Sequence, residues 1–407
     1  MNIYDAINYI NRFPDYGTIK KDASRFRMLM DALGNPQNRF NIITVTGSHG
    51  KSSVVRMISS ALFNAGYAVG EYSSPCLNSL CDCIHANGAN LSDEELCIVI
   101  EEMSSIVDSL GFECTRREIS MAAAFISIAA KGCTTAVIEA DSGIMYGLAE
   151  ALNSTVLSVI TTAEDDEQLI RGYACIVKQN VSAVIAHSNK RLARNVVNGI
   201  TLSVNSGFAS PSHFKLHIKQ TGIGGSTFTY KGNKYICSMA GRHQLENSLT
   251  AIEALDFLRK HGYPAITYSK IFDGVKDTIL PSRCQAVSVE NPTIIIDSAD
   301  TPERMKALAD FIRTLPNEPK IMICGMCDDT DWQAALGFIT RYIDVGLCVD
   351  GFASNSVFAP KLTEMFREAQ EINLKNALPR AVSLAGKHGM VIAAGSPRLA
   401  PTIRKMM

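Results

Sequence analysis

Between Thr46 and Ser53 the chain reads Thr-Gly-Ser-His-Gly-Lys-Ser-Ser, a set of residue types that together handle phosphate. Backbone N–H groups at a helix start, with the positive end of the helix dipole behind them, face an anion. A lysine at that point reaches the outer phosphates of a nucleotide. Ser52, directly after Lys51, offers a hydroxyl to Mg²⁺. Thr46, Gly47, Ser48, His49, Gly50, Lys51, Ser52 and Ser53 are therefore the candidate nucleotide-binding loop. The loop departs from the strict G-x-x-x-x-G-K-[ST] pattern, because Val45 stands five residues before Gly50.

Such a loop has to be delivered by a strand and received by a helix. Ile42 to Val45 is a short apolar, β-branched run of the kind that fills a buried parallel strand. After the loop, Val54, Val55, Ile58, Ala61 and Leu62 recur at helical spacing, and Gly66 stands where that helix needs a left-handed residue to stop. Further strands are expected at Ala68 to Ser73, Thr134 to Ile138 (ending at Glu139), Val156 to Thr161 and Val181 to Ala186. Helices are expected from Ser92, an N-cap followed by acids, to about Leu110, and from Glu118 to Ala130. Strands alternating with helices in this way argue a parallel sheet covered on both faces. The short alternating runs between Thr201 and Met239, separated by glycines, read as β-hairpins attached to that sheet, and Gly241 opens a helix to about Leu258.

A boundary is expected near Pro281 to Asn291. Beyond it the alternation restarts, with strands Thr293 to Ile296, Lys320 to Ile323, Val345 to Val349 and Met390 to Ala394. Helices are expected near Pro302 to Arg313, Trp332 to Arg341, Lys361 to Glu371 and Leu378 to Gly386. The fold class is thus α/β: a P-loop parallel-sheet ATPase domain over 1–284 with a small β-hairpin subregion, then a smaller Rossmann-like α/β domain over 285–407.

Composition is that of an ordinary soluble globular protein. Apolar residues are 46% and charged residues 19%, and the formal net charge of -1 gives no reason to expect nucleic acid or an anionic membrane surface as partner. No apolar run reaches the roughly 18 residues a membrane span needs. The start, MNIYDAINYINRF, has no basic segment followed by an apolar core, so the expected location is cytoplasmic. Most of the 12 cysteines stand alone in apolar stretches, where a reduced thiol behaves as a small hydrophobe. Cys324 and Cys327 form a lone C-x-x-C, while Cys76, Cys81 and Cys83 lie nearer the loop.

Read in order, these motifs resemble the Mur ligase superfamily, and most closely its folylpolyglutamate synthase/dihydrofolate synthase branch, over nearly the whole chain. Leu33-Gly34-Asn35-Pro36 resembles that family's lead-in, and TGSHGKSS its variant loop, which also lacks the first glycine. The resemblance implies that Ser74, in Ser73-Ser74-Pro75, and Glu139 join Ser52 at a magnesium site. It implies that Asn247, in His243-Gln244-Leu245-Glu246-Asn247, serves the adenine side of ATP, and that Arg283, in Pro281-Ser282-Arg283, reaches the phosphates. Asp297, opening Asp297-Ser298-Ala299-Asp300-Thr301-Pro302, falls in the second-domain nucleotide motif, and Ser396, in Ala394-Gly395-Ser396, with Asp300, in the place of the incoming amino acid. The implied reaction joins a small-molecule carboxylate to an amino acid or amine through an acyl phosphate, with ATP and Mg²⁺, in a monomer. Lys51, Glu139 and Arg283 are then the catalytic set.

Several positions depart from that pattern. Asp165-Asp166-Glu167 stands in place of an Asp-His pair, which leaves Asp166 and Glu167 as candidate ligands for a second cation. Tyr173 falls where the family carbamylates a lysine, with Lys178 five residues away. Asp141-Ser142-Gly143-Ile144-Met145 rewrites a glycine- and arginine-bearing stretch. Asp300 and Thr301 replace a histidine and an asparagine, and Leu80 to His85 replaces an arginine-rich run. ATP and magnesium features are better kept than acceptor features. A ligase for a non-folate carboxylate, and an ATP-binding regulatory paralogue without catalysis, are therefore the alternatives.

Overall fold

The structure is a computed structural model of the 407-residue chain. It describes all residues except 15–22, 75, 77–78, 142–143, 164, 290–291 and 317. The chain falls into two compact units. The first comprises Met1–Leu216, Tyr230–Tyr235 and Glu246–Thr278; the second comprises His217–Thr229, Ile236–Leu245 and Ile279–Met407.

The first unit is built on an eight-stranded sheet: β1 (Asn41–Thr46), β2 (Val69–Tyr72), β3 (Ile84–Ala86), β4 (Ala89–Asn90), β5 (Thr135–Glu139), β6 (Thr155–Ile160), β7 (Ala183–Ile185) and β8 (Phe208–Ala209). Their order is β4-β3-β2-β5-β1-β6-β7-β8. The central strand β1 runs parallel to β5 on one side and β6 on the other. Its side chains Ile42, Ile43 and Val45 are fully buried, each contributing about 1.5–3 kcal/mol of apolar burial. The helices are α1 (Ile3–Asn11), α2 (Ala23–Ala32), α3 (Lys51–Asn64), α4 (Asp93–Asp108), α5 (Arg116–Ala130), α6 (Met145–Ala151), α7 (Glu167–Ala174) and α8 (Arg191–Ser203). Ser92 and Thr115 open α4 and α5 with capping boxes, each accepting from the third backbone N–H of its helix. Helix α3 ends as its sequence requires, with Gly66 at φ +88°. The segment 80–86 is more ordered than its polar sequence suggests: a turn of 3₁₀ helix, Leu80–Cys83, leads into β3, whose side chains are buried and which pairs antiparallel with β2.

The hairpin stretch forms a three-stranded sheet of its own, not an extension of the main one. Strands β9 (Leu216–Gly222), β10 (Gly225–Tyr230) and β11 (Asn233–Cys237) lie in the order β11-β10-β9. Helices α9 (Arg242–Lys260) and α10 (Tyr268–Lys276) follow. Gly274 of α10 lets that helix lie directly against the Ala61 backbone of α3, where a Cβ would collide.

The second unit holds a six-stranded sheet of β12 (Gln285–Ser288), β13 (Thr293–Ile296), β14 (Lys320–Cys324), β15 (Val345–Cys348), β16 (Ala369–Glu371) and β17 (Met390–Ala394), in the order β12-β13-β17-β14-β15-β16. Its helices are α11 (Pro302–Ile312), α12 (Trp332–Ile339), α13 (Ala359–Thr363), α14 (Leu374–Ala385) and α15 (Leu399–Lys405). Apolar side chains of α11 and α12 pack on one face and those of α14 and α15 on the other. The helix expected over Lys361 to Glu371 is replaced by α13 and the edge strand β16. Backbone pairing of Ala369 to Glu371 with β15 overrides the local helical spacing. Among the described residues, no helix is long and apolar enough to cross a membrane.

Candidate functional site

Because β1 is central, the loops leaving β1, β5 and β6 meet at one carboxyl edge of the sheet, where open α/β sheets place their ligands. The loop after β1 carries Gly47 at φ +129° and Gly50 at φ +86°, and Gly50 is the N-cap of α3. A side chain at either glycine would strike a neighbour: Thr161 at Gly47, and the Asn247 amide at Gly50. Ser48 donates its N–H to Thr162 O at 2.8 Å, and the backbone of His49 pairs with Thr162. Thr161 in turn donates its hydroxyl to Thr46 O at 3.0 Å, while buried Asn189 bonds Thr161 O at 2.9 Å and the Ala163 N–H at 2.7 Å. The loop is thus braced by the β6 exit on one side and Asn247 of α9 on the other. Asn189 was missed from sequence, and an isolated asparagine gives no signal there.

On the β5 side the charges converge. Glu139, almost fully buried, accepts the Ser52 hydroxyl at 2.8 Å and the Ser74 N–H at 3.3 Å on the same oxygen. Its other oxygen lies 3.8 Å from the Lys51 ammonium. Lys51 also donates to Gly47 O at 2.9 Å and approaches Asp141 at 3.4 Å; Asp141 bonds Arg117 of α5 at 2.8 Å. Burial pushes the Glu139 carboxyl up to about 7, with Lys51 lowering it and Asp141 raising it further. A buried carboxylate sharing an oxygen with a serine hydroxyl is a donor set of hard oxygens, which fits a divalent cation such as Mg²⁺. A helix N-terminus in a glycine loop fits phosphate. Asp141 and Arg117 are the functional-looking residues that sequence reasoning passed over. Asp141 was visible only as a departure from a pattern, and Arg117 only as a helix-start residue.

Other expected residues are engaged locally. Asp166 caps α7 by accepting Leu169 N–H at 2.9 Å, Glu167 pairs with Arg171 one turn on, and Asp165 pairs with Lys190. Tyr173 is buried, and Lys178 donates to the Leu152 carbonyl, with burial lowering its pKa. Cys76 and Cys83 are joined by a disulfide, and the remaining ten cysteines are free.

In the second unit, Asp297 is buried at the end of β13 and accepts the Cys284 N–H at 2.6 Å and the Ala299 N–H at 2.7 Å. It thereby fixes the linker turn, where Ser282 and Cys284 take left-handed φ values of 58° and 47°. Arg283 of that turn donates to the Ser298 hydroxyl. Asp300 pairs with Arg304 at 2.9 Å, and Thr301 caps α11. Ser396, buried after β17, accepts the Arg398 N–H at 3.1 Å and lies 3.5 Å from the Cys327 sulfur.

This architecture is shared. The chain is 26% identical to the dihydrofolate synthase/folylpolyglutamate synthase of Bacillus subtilis (strain 168), over 99% of this chain and 98% of that protein. The folylpolyglutamate synthase of Mycobacterium tuberculosis, solved with ADP, superposes with a TM-score of 0.85 at 20% identity, covering 99% of this chain and 98% of that one. A bifunctional folylpolyglutamate synthase/dihydrofolate synthase solved with Mn, AMPPNP and L-glutamate gives 0.82 at 18% identity, covering 100% and 98%. The chain is similar to folylpolyglutamate synthase/dihydrofolate synthases along its whole length and shares their fold. No family model matches it. At 18–20% identity those structures speak for the fold, so the chemistry rests on the residues themselves.

Proposed function

We propose that the chain is an ATP- and Mg²⁺-dependent, ADP-forming amide ligase that joins a carboxylic acid to an amino acid or amine, a folylpolyglutamate/dihydrofolate synthase-like activity, in a cytoplasmic monomer. The observation that carries this reading is the convergence of Lys51, Ser52 and Glu139 at the start of α3, in a loop bonded by Thr162 and packed against Asn247. It is supported by relatives named for that activity and by neighbours solved with ADP or AMPPNP.

In this reading residues 1–284 bind ATP, with the amides of Gly47 to Ser53 cradling its phosphates and Asn247 flanking the loop. An oxygen of the acid's carboxylate forms a bond to the γ-phosphorus, and the bond from that phosphorus to the β–γ bridging oxygen breaks, its electron pair leaving on ADP. The amine then adds to the acyl phosphate carbonyl and phosphate leaves. Such chemistry asks for charge neutralisation and alignment rather than a protein nucleophile. Lys51 stabilises charge on the transferring phosphoryl group. Mg²⁺, when held by Ser52, Glu139 and the Ser74 hydroxyl, supplies further neutralisation of the phosphate oxygens. Arg283 at the end of residues 1–284 and Asp297 of residues 285–407 are assigned to the nucleotide, and Asp300 and Ser396 to the amine donor. Asp166 and Glu167 stay as candidates for a second cation, at the cost of the α7 cap and the Arg171 pair.

Purified protein given ATP, Mg²⁺, glutamate and either dihydropteroate or tetrahydrofolate is expected to release ADP and phosphate in an acid-dependent way. ATP binding without such release from any acid–amine pair of a broad panel sinks the ligase reading in favour of a regulatory paralogue. A ligase for a different carboxylic acid is the second reading. It is favoured by the segment Leu80 to His85, where Asp82 caps its own turn and no arginine stands.

A further inference from the structure

One array in the first unit extends from the nucleotide loop to a second cation. Asp141 follows β5 and presents one oxygen to the Lys51 ammonium at 3.4 Å and the other to the Arg117 guanidinium at 2.8 Å. The two cations arrive from different elements, Lys51 from the first turn of α3 and Arg117 from the first turn of α5. Buried Tyr72 on β2 lies close enough to feel the charges of Asp141, Glu139 and Arg117 together, which places all of them at one edge of the sheet. Lys51 is largely enclosed, with its side chain 11% exposed, whereas Arg117 is 46% exposed and open to a ligand from solvent.

A carboxylate that attacks phosphorus needs this same pair of surroundings. One oxygen must face the phosphoryl group beside Lys51, and the other must be held so that the first is aimed. A guanidinium suits the holding role because its fixed fork matches a carboxylate. We propose that Arg117 receives the carboxylate of the acid substrate, and that Asp141 keeps that carboxylate's place until it arrives. The proposal rests on the ligase reading and adds a recognition residue to it. It also supplies a cation that the arginine-free segment at Ser79 to Cys83 does not. In the reacting state the acid's second oxygen displaces Asp141 from Arg117 while its first bonds to phosphorus. No proton moves, and the only leaving group is ADP.

The test is a calorimetric titration of dihydropteroate, and separately of tetrahydropteroylglutamate, into the full chain saturated with AMPPNP and Mg²⁺. Arg117→Met is expected to weaken acid binding at least tenfold while AMPPNP affinity stays within twofold, and Arg117→Lys to recover part of the loss. In ADP-release assays the same variants lose through KM rather than kcat. Asp141→Asn, which keeps the shape and removes the charge, is expected to tighten the acid at least threefold. An acid that Arg117→Met binds as well as wild type overturns the proposal alone. Unchanged acid affinity in Asp141→Asn overturns its place-holding half. Wild-type protein that binds AMPPNP but neither acid overturns the folate-type ligase reading, and this proposal with it.

Discussion

Charged residues at the carboxyl edge of the first sheet reach across elements: Lys51 on α3 meets Glu139 and Asp141 after β5, and Asp141 meets Arg117 on α5. In the second unit the corresponding residues close on near neighbours. Asp300 pairs with Arg304 one turn along, Ser396 accepts from Arg398, and Asp297 is consumed by two backbone N–H groups, that of Ala299 two residues on and that of Cys284 in the adjoining linker turn. The difference separates two kinds of site. A cross-element array of buried charge is expensive unless its members are held by the fold or used by a ligand. Local pairs and caps satisfy themselves, and leave the choice of ligand to whatever charge remains exposed. The phosphate side therefore reads as pre-assembled, and the donor side as open to change of specificity.

The strongest way to break this comparison is to remove the cation that unites the first array. Lys51→Ala should reduce ATP-dependent turnover by on the order of 10³-fold, about 4 kcal/mol, the scale of losing one preorganised charge at a reacting group. AMPPNP affinity, measured by calorimetry, should fall with it. Unchanged affinity and turnover would show that the loop is only a glycine turn. Next comes the scaffold beneath Arg117. Arg25 and Glu118 form a buried ion pair at 3.1 Å, and Glu118 also accepts the Thr115 N–H at 2.7 Å, fixing the start of α5. Glu118→Ala removes the carboxylate from a buried guanidinium and should destabilise the first unit by about 3 kcal/mol, read as a drop in denaturation midpoint. A loss under ~0.5 kcal/mol would mean that α5 is positioned by apolar packing alone.

How far these features could be read from the chain follows the same divide. The strand, loop and helix around Lys51 were legible, because β-branched burial, glycines needing positive φ and helical spacing all agree locally. Glu139 was legible as an acid closing a strand. Asp141 and Arg117 were not, since their partnership depends on β5 and α5 converging on α3, a long-range fact with no local period. The same holds for Asn189, whose hydrogen bonds to Thr161 and Ala163 join the exit of β6 to the loop after β7. In the second unit the strands were legible from their apolar runs. The edge strand β16 was not, because Ala369 to Glu371 take their shape from pairing with β15 rather than from their own pattern.

A further contrast lies in the acid range. His85 on β3 is buried beside Arg56 and Glu71, with Asp82 and Asn90 nearby. Burial first, and then Arg56, lowers its pKa from 6.5 to about 4. The folded state therefore keeps His85 neutral while the unfolded chain takes up a proton below 6.5. Stability is lost as the pH falls from 6.5 towards 4, by up to about 3 kcal/mol at the lower end. Glu71, whose carboxyl burial raises, works in the opposite direction over part of that range. Because Glu71 lies 3.8 Å from His85, its contribution changes with the substitution too, and Glu71→Gln with the double variant closes the cycle that separates the two. The variant's stability relative to wild type should rise as pH falls from 7 to 4.5, and parallel curves would remove His85 as the source. Within the second unit, Asp297→Ala should cost about 2 kcal/mol by leaving the Cys284 and Ala299 N–H groups without their acceptor. A variant as stable as wild type would show that the linker turn is held by Arg283 and Ser298 instead.

The smallest stability effect tests the donor side most directly. Asp300 and Arg304 form an i,i+4 pair with side chains 18% and 29% exposed, a class of pair contributing about 0.3–0.5 kcal/mol. Asp300→Asn should therefore leave the denaturation midpoint nearly unchanged. Its effect belongs in selectivity, because a carboxylate there opposes the carboxylate of an acidic amino acid and the neutral amide does not. In ADP-release assays with a fixed acid, the KM for glutamate should fall several-fold in Asp300→Asn, while the KM for an uncharged amine donor such as glycinamide barely moves. Equal shifts for both donors would indicate that the substitution acts through freed Arg304 rather than through removed charge. No shift for either would take Asp300 out of the donor site and leave it as the first-turn partner of α11.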